Sequence, residues 1–283
     1  MFLVRGFAMD KDPFITIRPS RGWRVLDLAN LWEYRDLIYF LTWRDIKVRY
    51  KQTVLGAAWA VIQPFLGMVI FSIFFGRFAK ISSEGMPYPI FVYSALLPWH
   101  LFSQSLNQSG NSLVENQRII TKVYFPRLAV PISAVLGGLI DFCISFVILL
   151  GLLFYYEISI TPAVLFLPLF VLMAVLTALG AGLWLSALNV LYRDVRYTIT
   201  FLIQIWFFLT PIVYPTSLVP EKWRLLYAAN PMTGVVEGFR WAILRTGQYQ
   251  WSISLVSISI VVLLLISGLF YFRRMESIFA DVI

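Results

Sequence analysis

Few residues in this chain have the type and position to do chemistry, and the first of them is Asp141. It is the one carboxylate deep inside a long apolar stretch, where an acidic side chain is costly and therefore a functional candidate. A proton relay would use such a group, yet the sequence places no second acid and no basic residue close to it. Proton-coupled transport is therefore a minor hypothesis, and it predicts that Asp141→Asn abolishes activity.

The other candidates for chemistry are weaker. His100 is the single histidine, and we interpret it as a satisfied polar side chain rather than a metal ligand. Cys143 is the single cysteine, which excludes an internal disulfide. Asp10 and Asp12 match the spacing of a metal-nucleotide site but lie in a proline-flanked tail. No GxxxxGK[ST] loop occurs, so this route to ATP binding is absent. The sequence predicts no catalytic, cofactor or metal site.

The elements that position these residues are apolar and long. Of the 283 residues, 59% are hydrophobic and 13% charged, and the mean hydropathy is +0.77. Crossing a hydrocarbon core of ~30 Å takes about twenty apolar residues in a helix. Five stretches meet this length and a shorter sixth lies at 198–214; the five are 55–75, 88–106, 128–156, 163–191 and 251–272. The sequence therefore predicts an all-α integral membrane protein with six transmembrane helices.

The distribution of lysine and arginine predicts the orientation of these six spans. Loops on the cytoplasmic side of a membrane carry an excess of both residues. Most of them lie before the first span, in the second and fourth loops, and after the last span. We therefore expect a multi-pass protein of the cytoplasmic membrane with both termini cytoplasmic. A basic inner surface facing anionic lipid accounts for the net charge of +8 without nucleic acid.

The sequence predicts a cytoplasmic tail and an amphipathic helix over residues 1–52, ahead of a membrane domain over 53–283. Over 31–51, helical periodicity gathers charged residues on one strip and aromatic residues on the flanks. Such a helix lies in the membrane interface. Its basic residues near the first span are Arg44, Lys47, Arg49 and Lys51, with Arg49 opposite the strip. The pattern allows a lipid-surface anchor or a gating and docking element.

The loop between the second and third spans contains a possible helix start. Ser112 and Glu115 have the spacing of a capping box, in which each side chain bonds a free backbone amide. This predicts a short helix over about 112–122, ended by Pro126. Glu115, Arg118 and Lys122 would be displayed on it, which suits docking to another protein.

The segment 216–245, before the last span, is too polar to cross and too apolar for a simple loop. Pro220 predicts the start of one short helix, Asn230 its end, and Thr233 the cap of a second. We expect two short re-entrant helices at the outer surface. Their aromatic side chains allow two interpretations, a cap over a pathway or an interfacial aromatic belt.

The fourth span carries a ridge of small residues at four-residue spacing. The ridge consists of Ala174, Ala178, Gly182 and Ser186. Small side chains let two membrane helices approach closely. The ridge therefore predicts helix packing and carries no chemistry.

Five segments in order give the chain a resemblance to a known family. They are 49–56 with Trp59 and Pro64; 116–127 with Pro131; 188–194 with Arg196; 211–215; and 230–232. Across about 31–274, the chain resembles the permease subunits of ABC-2-type polysaccharide exporters. That family moves O-antigens, capsular polysaccharides and teichoic acids on lipid carriers. Each segment alone is weakly specific, whereas the ordered set is strong.

The resemblance implies which subunits assemble and which of them binds ATP. It implies a homodimer of six-span subunits with two copies of a separate nucleotide-binding ATPase subunit, which would hold ATP and magnesium. The helix carrying Arg49 would be a gate helix, and Glu115, Arg118 and Lys122 would belong to the coupling helix. The substrate would be a lipid-linked polysaccharide, most similar in type to O-antigen.

The same resemblance implies a channel between protomers, lined by the first and fifth spans. By analogy the lining candidates are Trp59, Gln63, Gln204, Trp206 and Phe208, because aromatic faces stack on sugar rings and amides bond hydroxyls. Contact with lipid or with other helices is an equally good interpretation for each. A membrane-embedded glycosyl or acyl transferase is the remaining alternative, and it predicts product formation by the isolated chain.

Overall fold

The computed structural model describes residues 28–51, 56, 58–245 and 250–279. Asp10 and Asp12, and most of the predicted tail 1–52, lie outside this part of the chain. The described residues are predominantly helical and include no β-strand. The all-α prediction is confirmed over that part.

The helices succeed one another along the chain with short connections. They are α1 Leu28–Glu33, α2 Arg35–Lys51, α3 Ala58–Phe71, α4 Tyr88–Glu115, α5 Gln117–Ile120, α6 Ala129–Tyr155, α7 Leu167–Leu191, α8 Val195–Phe208, α9 Glu221–Tyr227, α10 Pro231–Leu244 and α11 Trp251–Met275. The π-helical segment Ser72–Phe78 extends α3, and the 3-10 segment Pro162–Phe166 leads into α7.

Four helical stretches in the described residues are long and apolar enough to cross a membrane. They are Ala58–Phe78, Ala129–Tyr155, Pro162–Leu191 and Trp251–Met275. These correspond to the first, third, fourth and last predicted spans. The two other predicted spans fall on α4, which has the length but many polar residues, and on α8, which has 14 residues. The chain is therefore a multi-pass membrane protein, with at least these four candidate spans.

Helix α4 is the central element of the bundle, and α3, α6, α7, α8 and α10 all pack against it. Its large side chains Phe91, Tyr93 and Phe102 are fully buried. Because other helices surround α4, its surface contacts protein rather than lipid and need not be apolar. Several of its serines and asparagines form hydrogen bonds inside the bundle; for example, Asn111 Oδ1 accepts from Asn189 Nδ2 of α7 at 3.1 Å.

The ridge of small residues on α7 makes the close contact that the sequence predicts. Ala174, Ala178 and Ser186 are fully buried, and a side chain at Gly182 would overlap Ser109 of α4. The opposite side of α7 makes a second close contact, between Gly180 and Gly268 of α11, where the two backbones touch. The sequence pattern did not indicate this second contact.

The fifth predicted span ends earlier than expected. We predicted helix over 198–214, whereas α8 covers Val195–Phe208 and residues 209–214 are irregular. Pro211 and Pro215 explain the difference, because proline lacks the amide that continues a helix and restricts the residue before it. The irregular segment is instead held by side chains from α10.

The two short helices before the last span are present, with one correction. Helix α9 begins at Glu221 after Pro220, as predicted. The cap of α10 is Asn230, whose Oδ1 accepts from the Met232 amide at 3.0 Å, and not Thr233. Helix α10 is packed into the core, with Val235, Val236 and Phe239 fully buried. It is therefore more than a surface belt.

Candidate functional site

The charged segment after α4 is organised differently from the predicted capping box. Helix α4 continues without a break to Glu115, so a helix start at Ser112 is wrong. The Ser112 hydroxyl donates to the Ser109 carbonyl at 2.7 Å, within the same helix. The break falls at Asn116, and α5 is a single turn, Gln117–Ile120. Burial of Leu113 against the bundle favours the longer α4 over a new start.

Glu115, Arg118 and Lys122 are all exposed around Asn116, and we refer to this segment, 115–122, as the charged break. Partial desolvation raises the pKa of the Glu115 carboxyl, an effect that the nearby Arg196 opposes and Asp45 reinforces. The side chains form no ion pair with one another in the described residues. The segment thus offers charges of both signs to a partner.

Helix α2 is bonded directly to this break. The Arg44 guanidinium donates to the Asn116 side chain at 2.6 Å and to the Asp45 carboxylate at 2.7 Å. Helix α2 also packs along α6, burying Leu41 and Ile46. The amphipathic helix and the charged break therefore form one connected surface.

The remaining predicted basic residues of α2 point outward. The Lys47 ammonium lies over the Trp43 ring, 5.3 Å from its centroid, and Lys51 is exposed. Val48 and Phe40 are exposed beside them. This mixture of apolar and basic side chains is the pattern of a helix at a lipid surface.

The last helix is attached to the same end of the bundle. Arg127, in the loop after α5, donates through its guanidinium to the Glu276 backbone carbonyl. Arg273 pairs with the Glu276 carboxylate at 2.7 Å, and the Phe279 ring is fully buried near Arg127. The end of α11 is therefore tied to any movement of the loop that contains α5.

Arg49 forms an ion pair with Asp141, and the sequence analysis missed this contact. The Arg49 guanidinium and the Tyr50 hydroxyl both donate to the Asp141 carboxylate. The Gln104 amide donates to it as well, at 2.6 Å. Asp141 is buried in α6, so a basic group from α2 satisfies an acid that is isolated along the chain. The sequence set Arg49 apart from the other basic residues of α2, because it lies opposite the polar strip. Its partner, however, is 92 residues away along the chain.

Two cavities adjoin this ion pair, and Arg49 lines both of them. The larger, about 540 Å³, lies between α2 and the charged break and is bounded by Arg44, Glu115 and Arg118. The smaller, about 120 Å³, lies between α3, α4 and α6 and is bounded by Trp59, Gln63 and His100. We refer to them as the outer cavity and the inner pocket.

Four of the five predicted lining residues are exposed. Trp59 and Gln63 lie one turn apart on α3, and Gln204 and Phe208 lie one turn apart on α8. Phe208 is 76% exposed. Helices α3 and α8 meet through the stacked rings of Phe71 and Phe207, whose centroids are 5.7 Å apart. Beyond the polar start of α8, where Arg196, Thr198 and Thr200 are exposed, the exposed faces of these two helices are apolar and aromatic and include two amides.

Trp206, the fifth predicted lining residue, is turned into the protein. Its Nε1 donates to the Asn230 side chain at 2.7 Å, and its ring meets Phe102 edge-on with centroids 4.8 Å apart. A packing role therefore describes this tryptophan better than contact with a substrate.

The packing role of Trp206 can be tested by replacing its indole with a smaller ring that has no donor. Trp206→Phe keeps an aromatic side chain but loses the hydrogen bond and part of the packed volume, which we expect to lower the free energy of unfolding by about 1–3 kcal/mol. Thermal unfolding in detergent measures the change. Trp59→Phe, at an exposed ring, is the matched control and should leave the midpoint unchanged. An equal loss in both variants would contradict the assignment.

A buried arginine organises the irregular segment after α8. Arg240 of α10 is 1% exposed and donates to the carbonyls of Pro211 at 2.6 Å and of Ile212. It pairs with Glu237 at 3.3 Å, and its guanidinium lies 3.7 Å from the centroid of the Phe91 ring. One side chain thus joins α10, α4 and the segment after α8.

Comparison with known proteins decides the family of this fold. Residues 36–244 match the family described as ABC-2 type transporter. The chain belongs to the ABC-2 type transporter family. It is 31% identical over 255 residues to an O-antigen export system permease protein, RfbA, of Myxococcus xanthus, an alignment that covers 88% of this chain and 96% of that protein.

Two further relatives align over most of the ABC-2 chain. The O-antigen export system permease protein RfbA of Klebsiella pneumoniae is 29% identical over 258 residues, with 90% of this chain and 97% of that protein covered. The polysialic acid transport protein KpsM of Escherichia coli is 25% identical over 240 residues, with 82% and 91% covered.

The segments that carried the resemblance lie at junctions in this ABC-2 chain. Arg49 and Tyr50 hold α2 to α6, and Asn116 joins α2 to the charged break. Arg240 donates to the carbonyls of Pro211, Ile212 and Tyr214. Asn230 caps α10 and binds Trp206. Contacts between helices and loops therefore explain why these residues occur in the segments. The spacing of the residues along the sequence does not reveal such contacts.

Proposed function

We propose that this chain is the membrane permease subunit of an ATP-driven exporter. Its cargo is a lipid-linked polysaccharide, O-antigen in the first place, carried from the cytoplasmic to the outer side of the cytoplasmic membrane. The observation that supports this proposal is the alignment, over 88% of the chain, with a protein named as an O-antigen export permease. The polysialic acid transport relative supports a capsular polysaccharide as the second candidate.

The proposed topology has six spans and both termini in the cytoplasm. Helix α4 supplies the second span, sheltered from lipid by its neighbours, and α8 with the segment 209–214 supplies the fifth. Helices α9 and α10 then re-enter from the outer side. The clustering of lysine and arginine near α2, α5 and the end of α11 supports this orientation.

The proposed assembly is a homodimer that encloses the channel. The exposed aromatic faces of α3 and α8, with Trp59, Gln63, Gln204 and Phe208, support a role as the facing surfaces. A pathway for a polar polymer needs aromatic planes for sugar rings and amides for hydroxyls, and these faces carry both.

The energy source is proposed to be a separate ATPase subunit, present in two copies, that binds ATP and magnesium. Its contact would be the charged break, where Glu115, Arg118 and Lys122 are exposed. From there, Arg44 connects to α2 and Arg127 to the end of α11. Closure of the ATPase pair would thus move α2 and α11 together.

Reversing the three exposed charges tests this contact. We expect Glu115→Lys, Arg118→Glu and Lys122→Glu together to abolish ATP-driven export, because like charges would then face each other at the contact. Membrane insertion and the stability of the isolated chain should be unchanged, since the three side chains are exposed. The measurement is glycan export into vesicles by the chain reconstituted with its ATPase.

A triple variant at the other end of the bundle is the control. Lys80→Glu, Glu221→Lys and Lys222→Glu change the same kinds of exposed charge far from the proposed contact. This variant should export normally. Undiminished export by the first variant would remove the coupling assignment, whereas equal loss in both would indicate a general effect of charge.

The choice of polysaccharide is tested by the ATPase rate of the reconstituted complex. Lipid-linked O-antigen is expected to raise the rate more than lipid-linked polysialic acid or teichoic acid. ATP hydrolysis or transport by this chain without the ATPase subunit would contradict the proposal that a separate subunit supplies the energy. Product formation from a sugar donor by the isolated chain would favour the transferase alternative.

A further inference from the structure

The Arg49–Asp141 ion pair lies where two cavities meet. The outer cavity, about 540 Å³, is lined by charged side chains of α2 and of the charged break. The inner pocket, about 120 Å³, is lined by Trp59, Gln63 and Gln104. Arg49 contributes to the lining of both. Breaking its contact with Asp141 would therefore remove part of the wall between them.

The two partners of the pair differ in how firmly they are held. The Asp141 side chain is 9% exposed, whereas that of Arg49 is 25% exposed. Asp141 also accepts from Tyr50 and Gln104, so it keeps two donors when Arg49 leaves. These two donors lower the cost of leaving the buried carboxylate without its cation, and the phosphate that takes up Arg49 supplies a compensating ion pair. Arg49 is thus the partner that can be exchanged.

The surroundings of Arg49 leave room for movement. It lies in the last turn of α2, and a Cβ added to Gly137 would meet its Nη2 only at 3.8 Å. Gly137 is one turn before Asp141 on α6, so the guanidinium crosses a position with no side chain. A guanidinium binds phosphate with two parallel hydrogen bonds, in the geometry that it uses for a carboxylate.

We propose that Arg49 is a binding site for a phosphate group and that the Asp141 carboxylate occupies this site until phosphate displaces it. The site takes the phosphate of a lipid, because the exposed, apolar Val48 precedes Arg49 in α2 and lines the outer cavity together with it. The inference rests on the proposed function in one respect, since the lipid that matters would be the carrier of the polysaccharide. Displacement joins the outer cavity to the inner pocket, so that the group attached to the phosphate can reach Trp59 and Gln63 from the outer cavity.

The experiment measures the binding of phosphatidic acid to the full chain, purified with its ATPase subunit in phosphatidylcholine nanodiscs. Asp141→Asn removes the competing carboxylate, so we expect it to bind phosphatidic acid about ten-fold more tightly than the unchanged protein. The double variant Arg49→Gln with Asp141→Asn leaves no buried charge and should lose this gain. Arg35→Gln, at an exposed arginine of the same helix, is the control and should bind as the unchanged protein does.

Two outcomes would overturn the proposal. One is that Asp141→Asn binds phosphatidic acid no more tightly than the unchanged protein. The other is that the double variant binds as tightly as Asp141→Asn, which would exclude Arg49 as the binding group. A folding failure is recognised separately, because Asp141→Asn, the double variant and Arg35→Gln must all elute with the ATPase subunit at the same volume as the unchanged complex.

A second arm distinguishes the sources of phosphate. Inorganic phosphate is added to Asp141→Asn in nanodiscs of phosphatidylcholine alone, and its competition with phosphatidic acid is measured. Competition shows that the phosphate group suffices, and absence of competition shows that the lipid must accompany it; both support the site on Arg49. Neither arm contains a glycan, so a failure of polysaccharide export would overturn the proposed function and leave this result standing.

Discussion

Arg240→Met is expected to lower the free energy of unfolding by about 3–5 kcal/mol, the usual effect of breaking a buried ion pair. The methionine fills similar space but donates nothing. The Glu237 carboxylate would lose its cation, and the carbonyls of Pro211 and Ile212 would lose their donor. Because these carbonyls lie between α8 and α9, the segment 209–214 should become mobile. Thermal unfolding in detergent and hydrogen exchange of this segment measure both effects.

Two further variants separate this explanation from a general loss of packing. Glu237→Gln combined with Arg240→Met should recover part of the stability, because no buried charge is left without a partner. Lys222→Met, at an exposed position on α9, should be neutral. If Arg240→Met were as stable as Lys222→Met, the guanidinium would not hold the segment after α8.

Gly268→Val is expected to separate α7 from α11 and to cost several kcal/mol, at the upper end of the range for overpacked cores. A Cβ at Gly268 would overlap the Gly180 carbonyl, and one at Gly180 would lie 2.9 Å from the Leu265 amide nitrogen. These neighbours are backbone atoms, which cannot rotate away as a side chain can. The hydrogen bond from Trp184 Nε1 to Ser267 Oγ, at 3.1 Å, should break as the helices part.

Gly151→Val is the matched control for this prediction. Gly151 lies in the apolar helix α6, and a Cβ there meets nothing within 4 Å. The same substitution should therefore leave the unfolding temperature within a degree or two, as surface changes do. Normal stability of Gly268→Val would contradict the close approach of the two backbones, and the fluorescence of Trp184 would then be unchanged.

The apolar helices were predictable because membrane insertion depends on local composition. Segments such as 128–156 and 251–272 matched α6 and α11 to within three residues at each end. Proline also acts locally, so the start of α9 after Pro220 was predictable. The same rule predicts that α8 ends before Pro211. The longer prediction, 198–214, followed the apolar composition of the segment and not its prolines.

The capping box at Ser112 failed for a different reason. Its spacing is a local signal worth about 1 kcal/mol, whereas continuing α4 buries Leu113 and Ser112 against the bundle. The stabilisation from this tertiary packing exceeded that of the local capping box. The exposed charges Glu115, Arg118 and Lys122 were nevertheless identified, because exposure of charged residues at a helix end requires no knowledge of distant partners.

The sequence by itself determined that the chain is helical, lies in a membrane, belongs with ABC-2 permeases and contains no GxxxxGK[ST] motif. Composition, periodicity and ordered motifs are properties of the chain read along its length. Only the tertiary structure decided that Asp141 is paired with Arg49, that Trp206 packs inward and that Arg240 holds the segment after α8. Each of these contacts joins groups that are distant in sequence, and a buried charge or amide is satisfied by whichever partner the fold brings within about 3 Å.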